Sequence, residues 1–312
     1  MEEKTAMTYK LKSKTKIIDD EYIINKKENK KIPEKIIEAI LFGCAAISVL
    51  SVAVITIFIF YRGVPAIIEI GLFDFILEKT WRPLNGEFGI LAMIIASIIG
   101  SFGAIAIGGL IGIFTSVFLA EIAPKFLLVI FKPAIELLAG IPSVVYGFFA
   151  LVVIVPIIDD LFGGGGNSLL AVIIVLAVMI LPTIINISEV SIKAVPREYK
   201  EGSLALGASH IETIFKVILP AAKSGILASV VLGFGRAVGE TMAVILVCGN
   251  TVQIPNSIFD RVRTMTANIA LEMSYAHGLH QEALFATGVI LFTFIMLINL
   301  ALNLIVRRVG EV

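Results

Sequence analysis

The chain has 312 residues, of which 58% are hydrophobic and 16% charged, and its mean hydropathy is +0.97. A typical soluble domain has about 45–50% apolar and about 25% charged residues, so this composition excludes an ordinary soluble protein and predicts a polytopic membrane protein. The presence of only two cysteines argues against a disulfide framework and against a cysteine zinc site.

The chain begins with a polar segment. Residues 1–35 hold ten lysines and seven acids without apolar periodicity, which predicts a solvated cytoplasmic tail. The acids dilute the lysines, so the segment does not favour nucleic-acid binding. It also lacks the short apolar core of a signal peptide, and we expect the first apolar run to remain as a membrane span.

Six apolar runs are long enough to cross a bilayer. A hydrocarbon core of about 30 Å is spanned by about 20 helical residues, and each run therefore predicts one membrane helix. We predict an all-α polytopic membrane protein with six transmembrane helices. The runs cover residues 40–60, 88–120, 137–158, 169–187, 224–248 and 283–306.

Two of these runs carry residues that disfavour a plain straight helix. Gly140-Ile141-Pro142 predicts an interruption near the start of the third run, and such breaks often line transport paths. In the second run, five glycines predict close helix contacts, a bend, or both. They are Gly100, Gly103, Gly108, Gly109 and Gly112.

Lysine and arginine are distributed unevenly between the loops, and this predicts the orientation of the chain. With the N-terminus inside, the inner segments hold nineteen of these residues, ten of them in residues 1–35 and five in residues 188–223. The outer loops hold five. We therefore expect both termini and the segment 188–223 to be cytoplasmic, in a protein of the cell (plasma or inner) membrane.

The fifth run contains two ionisable residues. Arg236 lies at its midpoint, where a lipid-exposed charge costs at least about 3 kcal/mol. Glu240 follows four residues later, so we expect it on the same helix face, one turn away. The pair is either an internal salt bridge or part of a polar path for an anion. Gly235 and Gly239, with Gly233, are predicted to let another helix or a solute approach the backbone.

The polar segment 188–223 resembles the cytoplasmic EAA loop of ABC importer permeases. Four of its residues fall in register with the loop pattern: Glu201, Gly207, Leu219 and Pro220. Three depart from it, because Gly202 and Ser203 stand where alanines are usual and Val217 replaces an isoleucine. Gly202 weakens a helix by about 1 kcal/mol relative to alanine. In that family the loop is a coupling helix that docks on an ATPase subunit.

No GxxxxGK[ST] motif occurs, so we expect ATP to be bound by partner subunits and not by this chain. We predict no catalytic residues, no cofactor and no metal site. His277 and His280 have no obvious carboxylate partners in the sequence. Arg261 and Arg263 lie in the outer loop, where they are expected to act as rim charges toward an outer partner.

Four stretches resemble the phosphate transport permeases, and among them the PstC-type subunits. They are LLAGIPSVVYGFF at 137–149, SLALGAS at 203–209, GRAVGETMAV at 235–244 and SIFDRVRTMTANIALEM at 257–273. The resemblance covers roughly residues 85–306. It implies a MetI-like ABC importer permease whose Arg236 and Glu240 match the arginine and glutamate of the family's GRAxGET element, which is associated with phosphate passage.

The resemblance also implies partners and an organisation of the chain. A PstA-type permease would form a heterodimer with this subunit in the lipid bilayer, two PstB-type ATPases would dock inside, and an extracytoplasmic phosphate-binding protein would dock outside. We expect a tail (1–35), a first helix with an outer loop (36–87), a permease core (88–306) and a cytoplasmic C-terminus (307–312). The alternatives are a permease for sulfate or molybdate, an ion-gradient secondary transporter, and a membrane scaffold or sensor.

Overall fold

A computed structural model describes the backbone of residues 2–310 and the side chains of residues 35–302 and 304. The described chain is helical apart from short connections, one two-stranded ribbon and the longer non-helical loop 249–264, which confirms the all-α prediction. Two compact units are distinguished, Met1–Phe58 and Ile59–Val312.

The first helix forms the described part of the first unit and continues into the second. α1 runs over Glu2–Ile70, and its part from Lys35 onward is apolar and largely exposed within this chain. Two of its hydroxyl groups are satisfied locally, since Ser51 and Thr56 each donate to the carbonyl four residues earlier at 2.8 Å. The predicted tail falls almost entirely on residues whose side chains lie outside the described set.

The second unit follows α1 with a small outer segment and then the helical body. The outer segment contains α2 (Leu72–Leu77) and an antiparallel ribbon of β1 (Trp81–Arg82) and β2 (Glu87–Phe88), which pairs Trp81 with Phe88. The body consists of α3 (Leu91–Val117), α4 (Lys125–Gly140), α5 (Ser143–Phe149), α6 (Val155–Phe162), α7 (Leu169–Lys193), α8 (Arg197–Ala205), α9 (His210–Thr213), α10 (Leu219–Ala221), α11 (Lys223–Gly239), α12 (Met242–Val247), α13 (Met265–Glu272) and α14 (Leu279–Gly310). Three π-helical segments interrupt this series, at Phe118–Ile122, Ala150–Ile154 and Ile214–Ile218.

α7 is the central helix of the body, and α3 packs along it. A side chain could not replace the glycines of α3 that face α7. A Cβ at Gly108 would lie 2.7 Å from the carbonyl oxygen of Ala177, and one at Gly112 would lie 2.9 Å from Ile184. This confirms the close helix contacts predicted for α3, in which small residues let two membrane helices approach.

Five described helices are long and apolar enough to cross a membrane, and a sixth crossing is counted if the bent pair His210–Ala221 and Lys223–Gly239 forms one span. The axes of these two helices differ by 69°. The prediction of six spans agrees with the higher count. The fifth predicted span is nevertheless wrong in detail, because the run 224–248 is not one helix: α11 ends at Gly239 and α12 begins at Met242.

The third predicted span is interrupted where the sequence indicated. α4 ends at Gly140, α5 begins at Ser143, and the hydroxyl of Tyr146 donates to the Leu138 carbonyl across the break at 2.7 Å. The span runs over Ser143–Phe162, so the predicted start at residue 137 is wrong. The residues before the break belong instead to the separate helix α4, whose long apolar residues are mostly exposed in this chain.

A buried carboxylate fastens α4 to α7. Glu189, 5% exposed, lies within 2.8 Å of the Lys132 ammonium and also binds Lys193. The hydrogen bond to Glu189 raises the pKa of Lys132 above its ordinary value. One carboxylate therefore connects two lysines from different helices, and this compensates part of the cost of burying it.

Candidate functional site

Arg236 lies in the last turn of α11, about 20 Å along the helix axis from Lys223, and its side chain is exposed in this chain. Its Nη1 donates to the Thr183 hydroxyl of α7 at 3.2 Å. The arginine borders an open cavity of about 570 Å³ between α11 and α14. The other lining residues are Ala228, Val231, Leu232, Gly235 and Asn299.

Glu240 stands in the break between α11 and α12 and is extended, with ψ 133°. Its carboxylate accepts the Ala243 N–H at 3.1 Å, and its carbonyl accepts the Thr266 hydroxyl at 2.9 Å. The side chain thus satisfies an otherwise free donor in the first turn of α12, and Thr266 satisfies a carbonyl released by the break.

The break corrects the expected relation between the two charges. Arg236 and Glu240 do not share a continuous helix face, and the ion pairs formed among the described side chains do not include this pair. Arg236 lies at the C-terminal end of α11 and Glu240 precedes the first turn of α12, so each charge has the sign that its own helix end favours. The internal salt bridge considered from the sequence is therefore not formed.

The three glycines near the charges differ in what surrounds them. A Cβ at Gly233 would lie 3.1 Å from Ile184, so this glycine faces α7 inside the chain. Gly235 and Gly239 have no atom within 4 Å of such a Cβ among the described residues. Their predicted role, close approach of another helix or a solute, stays a prediction, and it concerns a surface that this chain leaves open.

The structure brings together two stretches that the sequence singled out separately. Gly147 of 137–149 faces α12, where a Cβ would lie 2.7 Å from the Ala243 Cα and 2.9 Å from Leu246 Cδ1. The broken third span therefore packs directly on the helix that follows Glu240. Two interrupted helices meet at one place, which is the arrangement found where transport proteins bind solutes.

The segment predicted as a coupling loop folds as short helices joined by a tight turn. α8 carries Glu201 and Gly202, both exposed, and Ser203, whose hydroxyl is 3.0 Å from that of Thr213. After α8 the chain turns at Gly207, whose φ of 87° favours glycine. Leu219 is half-buried and Pro220 exposed in α10, which leads into α11.

A capping box fixes the start of α9. The Ser209 hydroxyl accepts the Glu212 N–H at 3.2 Å, and the Glu212 carboxylate accepts the Ser209 N–H at 3.1 Å. This backbone hydrogen bond from Ser209 holds the pKa of Glu212 below its ordinary value. The turn before the box exposes 92% of Leu206, an apolar side chain free for a partner.

The outer loop contains a buried polar cluster that the sequence did not predict. Glu272, 7% exposed, accepts from Arg263 Nη1 at 2.6 Å and from the Trp81 indole at 2.8 Å, and it contacts His280 Nε2 at 2.9 Å. Arg263 is therefore mostly buried in an ion pair and is not the rim charge we expected, whereas Arg261 is exposed. His280 does have a carboxylate partner.

Asn299 is a further residue that the sequence analysis missed. It lies in the apolar span Leu279–Leu302 and borders the same cavity as Arg236, and its amide has no hydrogen-bond partner among the described side chains and backbone. A polar residue inside an apolar run was the available signal. For metals, no group of three or more candidate ligands occurs in the described part of the chain.

Comparison with known proteins gives a consistent result. The family model "Binding-protein-dependent transport system inner membrane component" matches residues 108–311. The probable ABC transporter permease protein YqgH of Bacillus subtilis is 39% identical over 290 residues, which is 89% of this chain and 94% of that protein. The phosphate transport system permease protein PstC of Haemophilus influenzae is 32% identical over 258 residues, 76% of this chain and 82% of that protein.

A solved structure supports the same fold. A chain in a structure of inward-facing conformations of the MetNI methionine ABC transporter matches with a TM-score of 0.54 and 22% identity, covering 71% of this chain and 94% of that chain. These results confirm the MetI-like fold and the resemblance to PstC-type permeases that the motifs indicated. The chain is a multi-pass membrane protein and belongs to the family of binding-protein-dependent transport system inner membrane components.

Proposed function

We propose that this chain is the permease subunit of an ATP-driven importer for inorganic phosphate. The observation that carries the proposal is kinship with PstC proteins, at 32% and 35% identity over 76% and 72% of this chain. The family model, which matches residues 108–311, covers the broken helix at Glu240 and the loop of α8 and α9. The subunit would lie in the cell membrane with both termini and this loop in the cytoplasm.

The absence of an ATP-binding motif and the exposed turn at Leu206 support a set of partner subunits. It has no phosphate-binding GxxxxGK[ST] loop, so ATP would be bound and hydrolysed by two PstB-type subunits, and this chain would carry no catalytic residue or cofactor. The exposed Leu206 turn and the helices on either side of it offer the ATPases a short, rigid element. A PstA-type subunit would complete the heterodimer, and an extracytoplasmic phosphate-binding protein would deliver the solute.

Arg236 would supply the attraction for the anion. Its side chain is exposed in this chain, and if α11 crosses the membrane, lipid contact of this charge would cost about 3 kcal/mol. The surroundings must therefore be polar, which an aqueous path shared with the partner permease would provide. Since Glu240 does not neutralise Arg236 directly, the positive charge stays available to an oxyanion.

Glu240 would contribute selectivity. One of its carboxylate oxygens accepts the Ala243 N–H, and the other has no protein partner among the described residues. Protonated phosphate can donate a hydrogen bond to such an oxygen, whereas sulfate cannot and would leave it unpaired at a cost of about 1–3 kcal/mol. The Glu240→Gln variant should therefore discriminate less between phosphate and sulfate.

The test is uptake of labelled phosphate by the co-expressed four-component system in proteoliposomes. We expect uptake that requires ATP, resists excess sulfate and is lost in Arg236→Gln. The conservative variant Arg236→Lys, which keeps the charge, should retain part of the uptake.

The other transport functions predict different results. Uptake inhibited by sulfate or molybdate would indicate a permease for another oxyanion with the same fold. Uptake without ATP that collapses with an ion gradient would indicate a secondary transporter. ATP-dependent uptake that survives Arg236→Gln would leave the importer in place and remove Arg236 from the solute path.

A further inference from the structure

A single carboxylate joins α8 of the coupling loop (residues 188–223) to the transmembrane body, and α9 lies close to it. Glu121 lies in the π-helical segment that ends α3, and its side chain is only 11% exposed. Lys200 Nζ of α8 is 2.5 Å from its Oε2, and His210 Nε2 of α9 is 3.8 Å from the same oxygen. Lys200 follows Glu121 by 79 residues in the sequence, and His210 lies further along the chain.

α8 has no comparable apolar attachment to the body. None of its residues is buried, and an open cavity of about 570 Å³ lies beneath it, bordered by Glu121, Lys200, Lys193 and Ile218. Its other side-chain hydrogen bond, between the hydroxyls of Ser203 and Thr213, stays within the loop. A force on α8 therefore reaches the body through the Glu121–Lys200 pair more directly than through packing.

On the body side of the Glu121–Lys200 contact lies α3, which is tightly packed. α3 packs on α7 through glycines that leave no space, and it also contacts α11, which carries Arg236. Val117, at the last turn of α3, is buried with Ile192, Ile214 and Ile218. Densely packed helices shift as bodies and do not deform continuously, so a displacement of Glu121 moves the end of α3.

We propose that Glu121 is a positioning residue that transmits movement of the coupling loop to α3, with Lys200 as its main partner. The inference rests on the proposed function, in which ATPase subunits move this loop. Glu121 does not line the cavity that Arg236 borders. If the Glu121 carboxylate were removed, ATP hydrolysis would continue, but movement of the loop would displace the transmembrane helices less.

The experiment uses the complete transporter, with its ATPases, partner permease and binding protein, in proteoliposomes, and measures phosphate imported per ATP hydrolysed. We expect Glu121→Gln to lower this ratio by about tenfold while ATP hydrolysis persists. Glu136→Gln is the matched control, since Glu136 is an exposed carboxylate of α4 outside the loop, and its ratio should equal that of the unmodified protein.

Exchange of the charges separates transmission from general damage. Glu121→Lys and Lys200→Glu should each lower the ratio, and the double variant should restore a substantial part of it because the ion pair is rebuilt in reverse. An unchanged ratio in Glu121→Gln, or a double variant no better than the single ones, would overturn the proposal. Failure of the proposed function is distinguishable, because the unmodified complex would then show no ATP-dependent phosphate uptake.

Discussion

Replacement of Gly147 by alanine tests the contact between the two broken helices. The added methyl would lie 2.7 Å from the Ala243 Cα, 2.9 Å from Leu246 Cδ1 and 3.0 Å from the Ala243 carbonyl oxygen. Two of these neighbours are backbone atoms, which cannot rotate away. α5 and α12 must therefore separate by roughly 1 Å, and overpacking of this kind costs about 1–3 kcal/mol.

The control lies seven residues earlier in the same stretch. A Cβ at Gly140 meets nothing within 4 Å, so Gly140→Ala should be neutral, or stabilising by up to about 1 kcal/mol through helix propensity. Thermal unfolding of the purified variants in detergent measures the difference. If Gly147→Ala unfolded at the same temperature as Gly140→Ala, α5 and α12 would not be packed as described, and the joining of the two stretches at Glu240 would lose its support.

Two further predictions concern residues that the structure brought into view. Arg263→Gln should destabilise the protein by up to about 3 kcal/mol in thermal unfolding, because the buried Glu272 loses its arginine, whereas the exposed Arg261→Gln should change stability by less than about 0.5 kcal/mol. Asn299→Leu should raise the phosphate concentration needed for half-maximal uptake several-fold without changing stability, since it removes a polar group from the cavity of Arg236, and an unchanged concentration dependence would contradict this.

The membrane spans could be predicted because a helix that crosses lipid must consist mainly of apolar residues. Hydropathy predicts α3, α7 and α14, and the glycines of α3 predict its close packing but do not identify α7 as the partner. The start of the third span was misplaced because α4 ends in apolar residues, Leu137 and Leu138, that run uncharged into the break. Composition alone cannot divide an apolar run between an amphipathic helix and a membrane helix.

The break at Glu240 was not predictable from its own neighbourhood. The run contains no proline there, and its glycines are equally compatible with helix packing. What stabilises the break is a hydrogen bond from Thr266, 26 residues later, to the Glu240 carbonyl. The Glu272 cluster has the same character, since its partner Trp81 is 191 residues away in sequence. Polar contacts over such separations leave no periodic signal.

The break also explains why the two charges remain separate. On a continuous helix, Arg236 and Glu240 would be one turn apart, and the pair would be largely neutral inside the membrane. Because the helix stops at Gly239, Glu240 instead satisfies the first turn of α12, and Arg236 is left with one neutral hydrogen bond to Thr183. A Cβ at Gly235 or Gly239, on either side of the exposed arginine, would meet no described residue within 4 Å. The unneutralised charge and the glycine backbone beside it thus lie on one surface that the described residues leave open.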